Sequence, residues 1–295
     1  MRLVIQGVAT PEQLQHIAQL SAGAALSPLA ASAYRLDTDG SHYAEISSYC
    51  AEQAIDCACV AQTLTLERFR LVVMDMDSTL ISIESIDEIA DMQGLRAEVA
   101  AITESAMRGE IEYAESLRQR VALLAGEDES ALRRVYEERL RLNPGAEALL
   151  DALRRRGIKT MLLSGGFTYF TERLKARLGF DYAAANTLEI IDGKLTGRLI
   201  GDILDAQGKE NWLVQVRDAL GLDKEQVMAI GDGANDIKML AAAGFGVAYH
   251  AKPIVRAQAT CALNYVGLDG VLNLLAGGAA PLRMRSAAPA LEDYA

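Results

Sequence analysis

RLVVMDMDSTLIS, residues 70–82, is the stretch on which the fold turns. Four apolar residues, Leu71–Met74, run straight into Asp75 and Asp77, and Ser78 and Thr79 follow at once. A continuous apolar run rich in β-branched residues reads as a strand buried on both faces, as in a parallel sheet. Two carboxylates at positions i and i+2 of such a strand end repel each other unless something positive lies between them. A hard divalent cation meets that need, because Mg²⁺ typically takes one or two carboxylates together with phosphate oxygens and water. An Asp carboxylate can also attack a phosphoryl group and form an aspartyl-phosphate. For the tripeptide alone, a strand-end turn and helix cap is an equally good account.

Outward from this stretch the same pattern repeats. TMLLSGG (160–166), VMAIGDG (227–233) and FGVAY (245–249) are further apolar runs ending at small or acidic residues. Amphipathic stretches separate them: residues 145–157, 167–179, 209–221 and 235–244. This alternation predicts an α/β fold, a Rossmann-like parallel sheet with helices on both faces. Ligands of such sheets lie beyond the carboxyl ends of the strands. Asp75, Asp77, Ser164 and Asp232 all fall there.

Residues 84–143 break the alternation, with helical periodicity throughout and no strand run. They read as an all-helical cap inserted into a core made of residues 67–83 and 144–278. Residues 1–66 read as a separate small α+β domain: strand, helix, short strand, helix, strand. Residues 279–295 lack periodicity and are expected to be disordered.

Composition narrows the partners. The 295 residues carry a net charge of −11, which argues against nucleic acid and against an anionic membrane surface. There is no apolar run of membrane-spanning length and no secretory leader pattern, so a cytoplasmic protein is expected. Cys50, Cys57 and Cys59 could suggest a thiolate metal site, but no fourth ligand stands near them. Small buried apolar residues in a reducing compartment describe them better.

The remaining chemistry lies in three places. Ser164-Gly165-Gly166 offers a hydroxyl and backbone N–H groups to a phosphate oxygen, although an ordinary strand-to-helix turn would look the same. Asp232 sits between two glycines, and Asn235 and Asp236 open the next helix. Asp232 can reach a cation held by the first strand, and Asp236 can ligate it or support its ligands. Lys209 opens a helix; alone it reads as a surface lysine, and beside these acids it could neutralise a phosphoryl group.

DMDSTL (75–80), SGG (164–166), Lys209 and GDGAND (231–236), in this order, resemble the four motifs of the haloacid dehalogenase superfamily of phosphatases. The match covers roughly residues 70–275. ESIDEIA (84–90), AMRGEIEYAESLRQRV (106–121), ANTLEIIDGKLTG (185–197) and AKPI (251–254) are similar to the branch of that superfamily acting on phosphoserine. The resemblance implies Asp75 as nucleophile and Asp77 as the acid that protonates the leaving alkoxide and then activates water. It implies Mg²⁺ held by Asp75, the backbone carbonyl of Asp77, and Asp232, with Asp236 behind them. Ser164, Gly165, Lys209 and Asn235 would surround the phosphoryl group. From the cap, Glu84 would face a substrate ammonium, Arg120 would grip a carboxylate, and Met107 and Tyr113 would line the pocket. O-Phosphoserine, hydrolysed in the last step of serine biosynthesis, carries all three groups. Some relatives have an N-terminal amino-acid-binding module of ferredoxin-like type, and residues 1–66 would be a shortened, ACT-like version of it. Another phosphomonoester such as phosphothreonine, and a non-catalytic amino-acid sensor, are the alternatives. A homodimer is compatible with the chain, and no sequence feature fixes it.

Overall fold

A computed structural model describes residues 1–23 and 25–276. The tail expected to be disordered, 279–295, lies outside the described residues. The chain divides into two compact units: Met1–Leu64 with the residues from Asn273 onward, and Thr65–Leu272.

The first unit contains β1 (Arg2–Gln6), α1 (Pro11–Leu20), β2 (Ser27–Ala30), β3 (Ala33–Asp37), α2 (Tyr43–Glu52) and β4 (Asp56–Val60). Thr10 and Gln13 close a capping box at the start of α1, with Pro11 as its first residue. The four strands form one antiparallel sheet in the order β2-β3-β1-β4. Leu3 and Ile5 of β1 meet Ile17 of α1 and Ile46 and Cys50 of α2 in the core. This βαββαβ arrangement has one strand more than the sequence suggested, so the sheet is not shortened by a strand. The addition is β2, whose sequence SPLA is short and partly exposed and gives no apolar alternation. At the other end of the chain, the buried Arg2 guanidinium donates to the carbonyls of Leu64, Leu274 and Ala276, all within the first unit.

The second unit is built on β5 (Leu71–Asp75), β6 (Lys159–Phe167), β7 (Tyr182–Ile191), β8 (Lys194–Ile200), β9 (Val227–Gly231), β10 (Phe245–Tyr249) and β11 (Cys261–Leu263). Their order is β11-β10-β9-β5-β6-β7-β8. Every pairing is parallel except the β7–β8 hairpin. Beyond β5 the chain steps outward to β6 and β7, then returns to the other side through β9, β10 and β11. Strand β5 therefore sits at the reversal point, where such sheets open a crevice at their carboxyl ends. All five residues of β5 are buried, as are those of β9 and β10, which accounts for their unbroken apolar sequences.

Helices α7 (Ala146–Arg155), α8 (Thr168–Leu178), α9 (Ala206–Ala219), α10 (Ile237–Ala242), α11 (Pro253–Arg256) and α12 (Gly270–Leu274) complete this part of the chain. The segment between β5 and α7 carries α3 (Ser85–Met92), α4 (Arg96–Met107), α5 (Tyr113–Ala122) and α6 (Ser130–Arg134). Asn143 ties the two connections of this segment together, its amide donating to the carbonyls of Thr79 at 2.8 Å and Ile81 at 3.2 Å.

Candidate active site

Strand β5 delivers Asp75 to the end of the sheet, where the residue is buried. Its Oδ1 accepts from the Met76 amide at 2.7 Å and lies 2.7 Å from Lys209 Nζ. Lys209, fully buried in the first turn of α9, is also 2.7 Å from Asp236 Oδ1. Carboxylate oxygens of Asp75, Asp232 and Asp236 lie within 4.8 Å of one another. Burial lowers the Lys209 amine, but attraction to Asp236 and Asp75 outweighs this and carries its pKa up. Burial, followed by repulsion from Asp236, pushes Asp75 well above the ordinary carboxylate range. One ammonium among three carboxylates leaves an excess of negative charge, which draws either a proton or a cation.

After Asp75 the chain turns sharply. Asp77 is extended, and Ser78 takes a left-handed conformation at φ 55°. The turn aims Asp77 back at the site. Its Oδ1 accepts from the Ser85 amide at 3.0 Å, and its Oδ2 from the hydroxyls of Ser85 at 3.2 Å and Ser164 at 3.4 Å. Burial, aided by repulsion from Glu84, pushes Asp77 up to about 7. A carboxyl poised there can give a proton and take one back near neutrality. Asp232 accepts from Thr79 Oγ1 at 2.8 Å and is also pushed up to about 7, by burial and then by Asp236. Asp236 turns its other oxygen to the amides of Asp232 at 3.1 Å and Gly233 at 3.0 Å, holding that turn closed.

Two glycines are required by close approach. A Cβ at Gly166 would stand 2.6 Å from Asp77 Oδ2 and 2.9 Å from Ser85 Oγ. One at Gly231 would stand 2.5 Å from the Asp236 carboxyl carbon. Any side chain at either position would displace a carboxylate of the site.

A cavity of about 660 Å³ opens above these groups. Asp75, Asp77, Gly165, Asp232 and Asn235 line its floor; Glu84, Met107, Tyr113 and Arg120 line it from the helical segment. Ser164, Lys209 and Asp236 are fully buried directly beneath this floor, in contact with Asp77, with Asp75 and with the Asp232–Gly233 turn. Glu84 accepts from Ser78 Oγ at 2.6 Å. The Arg120 Nε donates to the Ser116 carbonyl at 3.4 Å, a long bond that leaves most of the guanidinium fork for a ligand. Tyr113 donates its hydroxyl to the Gly165 carbonyl at 3.2 Å, and burial pushes its phenol up to about 12. Met107, 66% exposed, stands at the rim.

Sequence reasoning assigned no role to Thr79, Ser85, Asp87 or Asn186. Thr79 and Ser85 bond to Asp232 and Asp77, Asp87 lines the cavity near Arg120, and Asn186 bonds to Gly165. The hydroxyls directly after Asp77 were the available signal for Thr79; the other three carry none outside their three-dimensional setting.

The model of the haloacid dehalogenase-like hydrolases matches residues 69–244. A phosphoserine phosphatase from Polaromonas sp. is 54% identical over 217 residues, 72% of this chain and 92% of the relative. This chain belongs to the haloacid dehalogenase-like hydrolases, in their phosphoserine phosphatase family. As a hydrolase of this family it shares its architecture with a haloacid dehalogenase family hydrolase from Salmonella enterica serovar Typhi. That crystal structure superposes with a TM-score of 0.85 at 32% identity, over 93% of this chain and 98% of the other. A substrate-bound phosphoserine phosphatase superposes with a TM-score of 0.66 at 37% identity, over 70% of this haloacid dehalogenase-like hydrolase and 99% of the other. No helix among the described residues is long and apolar enough to cross a membrane.

Proposed function

We propose that the protein hydrolyses O-phospho-L-serine to L-serine and inorganic phosphate, with Mg²⁺ as cofactor and Asp75 as nucleophile. The observation that carries this reading is one cavity lined by Asp75 and Asp77 below and by Glu84 and Arg120 above. The three groups of phosphoserine then have complementary partners: phosphate over Asp75, ammonium toward Glu84, carboxylate toward Arg120.

The donor set suits a hard cation. Asp236 has both oxygens engaged by Lys209 and backbone amides, so Asp75 and Asp232 are the carboxylates for Mg²⁺, with the Asp77 carbonyl beside them. When bound, Mg²⁺ neutralises this negative cluster and the charge that develops on the phosphoryl oxygens. The Asp75 carboxylate attacks phosphorus, and the bond from phosphorus to the serine oxygen breaks. Asp77 gives its proton to the departing alkoxide. Ser164, the Gly165 amide and Lys209 hold the phosphoryl oxygens. With serine gone, Asp77 takes a proton from water as that water attacks phosphorus; the bond to Asp75 breaks and phosphate leaves. Such an activity would supply the last step of serine biosynthesis. The test is phosphate release from a panel of phosphomonoesters with Mg²⁺. L-Phosphoserine should exceed D-phosphoserine and phosphothreonine in kcat/KM, and EDTA should silence all turnover. A flat profile across the panel would refute the substrate assignment.

The first unit is proposed as a regulatory module that binds a small amino acid. Its complete four-strand βαββαβ topology supports that reading.

A further inference from the structure

Between β6 and β7 the parallel ladder is interrupted. Leu163 pairs with Ala184, and the next pair is Phe167 with Asn186. Between these pairs three residues of β6 therefore run against one of β7, Ala185. The surplus places Ser164, Gly165 and Gly166 as a bulge at the edge of the cavity. Such a bulge loses its ladder hydrogen bonds, and buried backbone groups left unpaired are costly.

The side chain of Asn186 replaces them. Asn186 is 2% exposed, and its Nδ2 donates to the Gly165 carbonyl at 2.8 Å. Its Oδ1 accepts from the Leu204 amide at 2.7 Å. The Gly165–Gly166 peptide is thus fixed at both ends, because the Gly166 amide donates to Ser164 Oγ at 2.9 Å. Leu204 directly precedes Asp205, the cap of α9, whose carbonyl accepts the Lys209 amide at 2.9 Å. One carboxamide therefore connects the Ser164–Gly166 bulge to the first turn of the helix that carries Lys209.

We infer that Asn186 is a positioning residue, which sets the Gly165 peptide and the start of α9 so that the two sides of the phosphoryl site keep a fixed separation. This rests on the reading of Ser164, Gly165 and Lys209 as the phosphoryl site, and not on the identity of the alcohol that leaves. A carboxamide is specifically required: the position needs a donor toward Gly165 and an acceptor toward Leu204 in one rigid plane. Aspartate keeps the size and the acceptor and faces a carbonyl with a second acceptor.

The test measures the Asn186→Asp variant with p-nitrophenyl phosphate as substrate, inorganic phosphate as competitive inhibitor, and Mg²⁺ titrated separately. The inhibition constant for phosphate should rise about tenfold or more, and the Mg²⁺ concentration for half-activation should stay within about twofold of the unmodified protein, with thermal melting still cooperative. Lowering the pH should narrow the gap in phosphate affinity, because the introduced carboxyl regains the donor once it is protonated. If Asn186→Asp does not fold, Asn186→Ser, which is too short to span both partners, is judged by the same two constants. An unchanged phosphate constant, or equal weakening of phosphate and Mg²⁺, would overturn the inference. Turnover of p-nitrophenyl phosphate without turnover of phosphoserine in the unmodified protein would refute the substrate reading alone.

Discussion

The floor and roof of the cavity are built on different principles. On the floor the central charges are buried and already paired, with Lys209 held between Asp75 and Asp236, while the half-buried Asp232 accepts from Thr79. In the roof, among the described residues, Glu84 has a single hydroxyl partner and Arg120 one long bond to a backbone carbonyl. Buried charges are costly to rearrange, so the floor is set before any ligand arrives. Open groups cost little to reorient, so the roof adapts to a ligand and selects it. The floor should thus govern phosphoryl chemistry on any substrate, and the roof should govern which alcohol carries the phosphate.

The hardest blow to the floor is Asp75→Asn, an exchange of nearly equal size that removes the proposed nucleophile. Turnover of phosphoserine and of p-nitrophenyl phosphate should fall together, by about 10⁴-fold or more, with an unchanged circular dichroism spectrum. Substantial activity on either substrate in a pure preparation would take Asp75 out of that role.

Lys209→Met attacks the floor through stability as well. It leaves Asp75 and Asp236 buried without their shared cation, a loss of about 3–5 kcal/mol by analogy with breaking a buried ion pair. Thermal melting of the metal-free protein should register it. A melting temperature equal to that of the unmodified protein would show that the triad contributes nothing to the fold.

The floor also has a pH signature. Asp77 and Asp232 are pushed up to about 7, and Asp75 is raised as well. Folded carboxyls raised above their unfolded values bind more protons in the native state. Their contribution to stability is full below about pH 4 and is lost as pH rises through about 7. A cation at Asp75 and Asp232 replaces those protons. The gain in melting temperature from saturating Mg²⁺ should therefore be larger at about pH 8 than at about pH 5. Equal gains at both would contradict the cluster as the metal site.

Tyr113→Phe is the mildest change, since Gly165 keeps its bond from Asn186. Loss of one neutral hydrogen bond is worth about 0.5–1.5 kcal/mol, so kcat/KM should fall about tenfold at most. A larger drop would make the phenol part of the floor.

The floor was also the part most legible in the sequence. Asp75, Asp77 and Asp232 announce themselves because each ends an apolar run, and a buried strand leaves its polar residues only at its end. Strand β2 was not legible, since four half-exposed residues containing Pro28 have neither length nor alternation. The β7–β8 hairpin did carry a signal, Asp192-Gly193 with φ of 51° and 73°, the pair of positive values a tight hairpin turn needs. The partners of these carboxylates were hidden for a geometric reason. Thr79 and Asp232 are 153 residues apart, and Asn186 matters only because the sheet bulges beside it. For the roof, Glu84 directly precedes one ordinary amphipathic helix and Arg120 lies in another, and only their common cavity distinguishes them from surface charges.

The division between floor and roof is tested most directly by kcat/KM of Arg120→Ala on phosphoserine and on p-nitrophenyl phosphate, which has no carboxylate. If Arg120 grips the substrate carboxylate with its fork, phosphoserine should lose about 2–5 kcal/mol in specificity while the artificial substrate is affected far less, and Arg120→Lys should recover only part of the loss. Equal losses on both substrates would place Arg120 among the groups that support the chemistry itself, and would contradict the roof as the seat of selection.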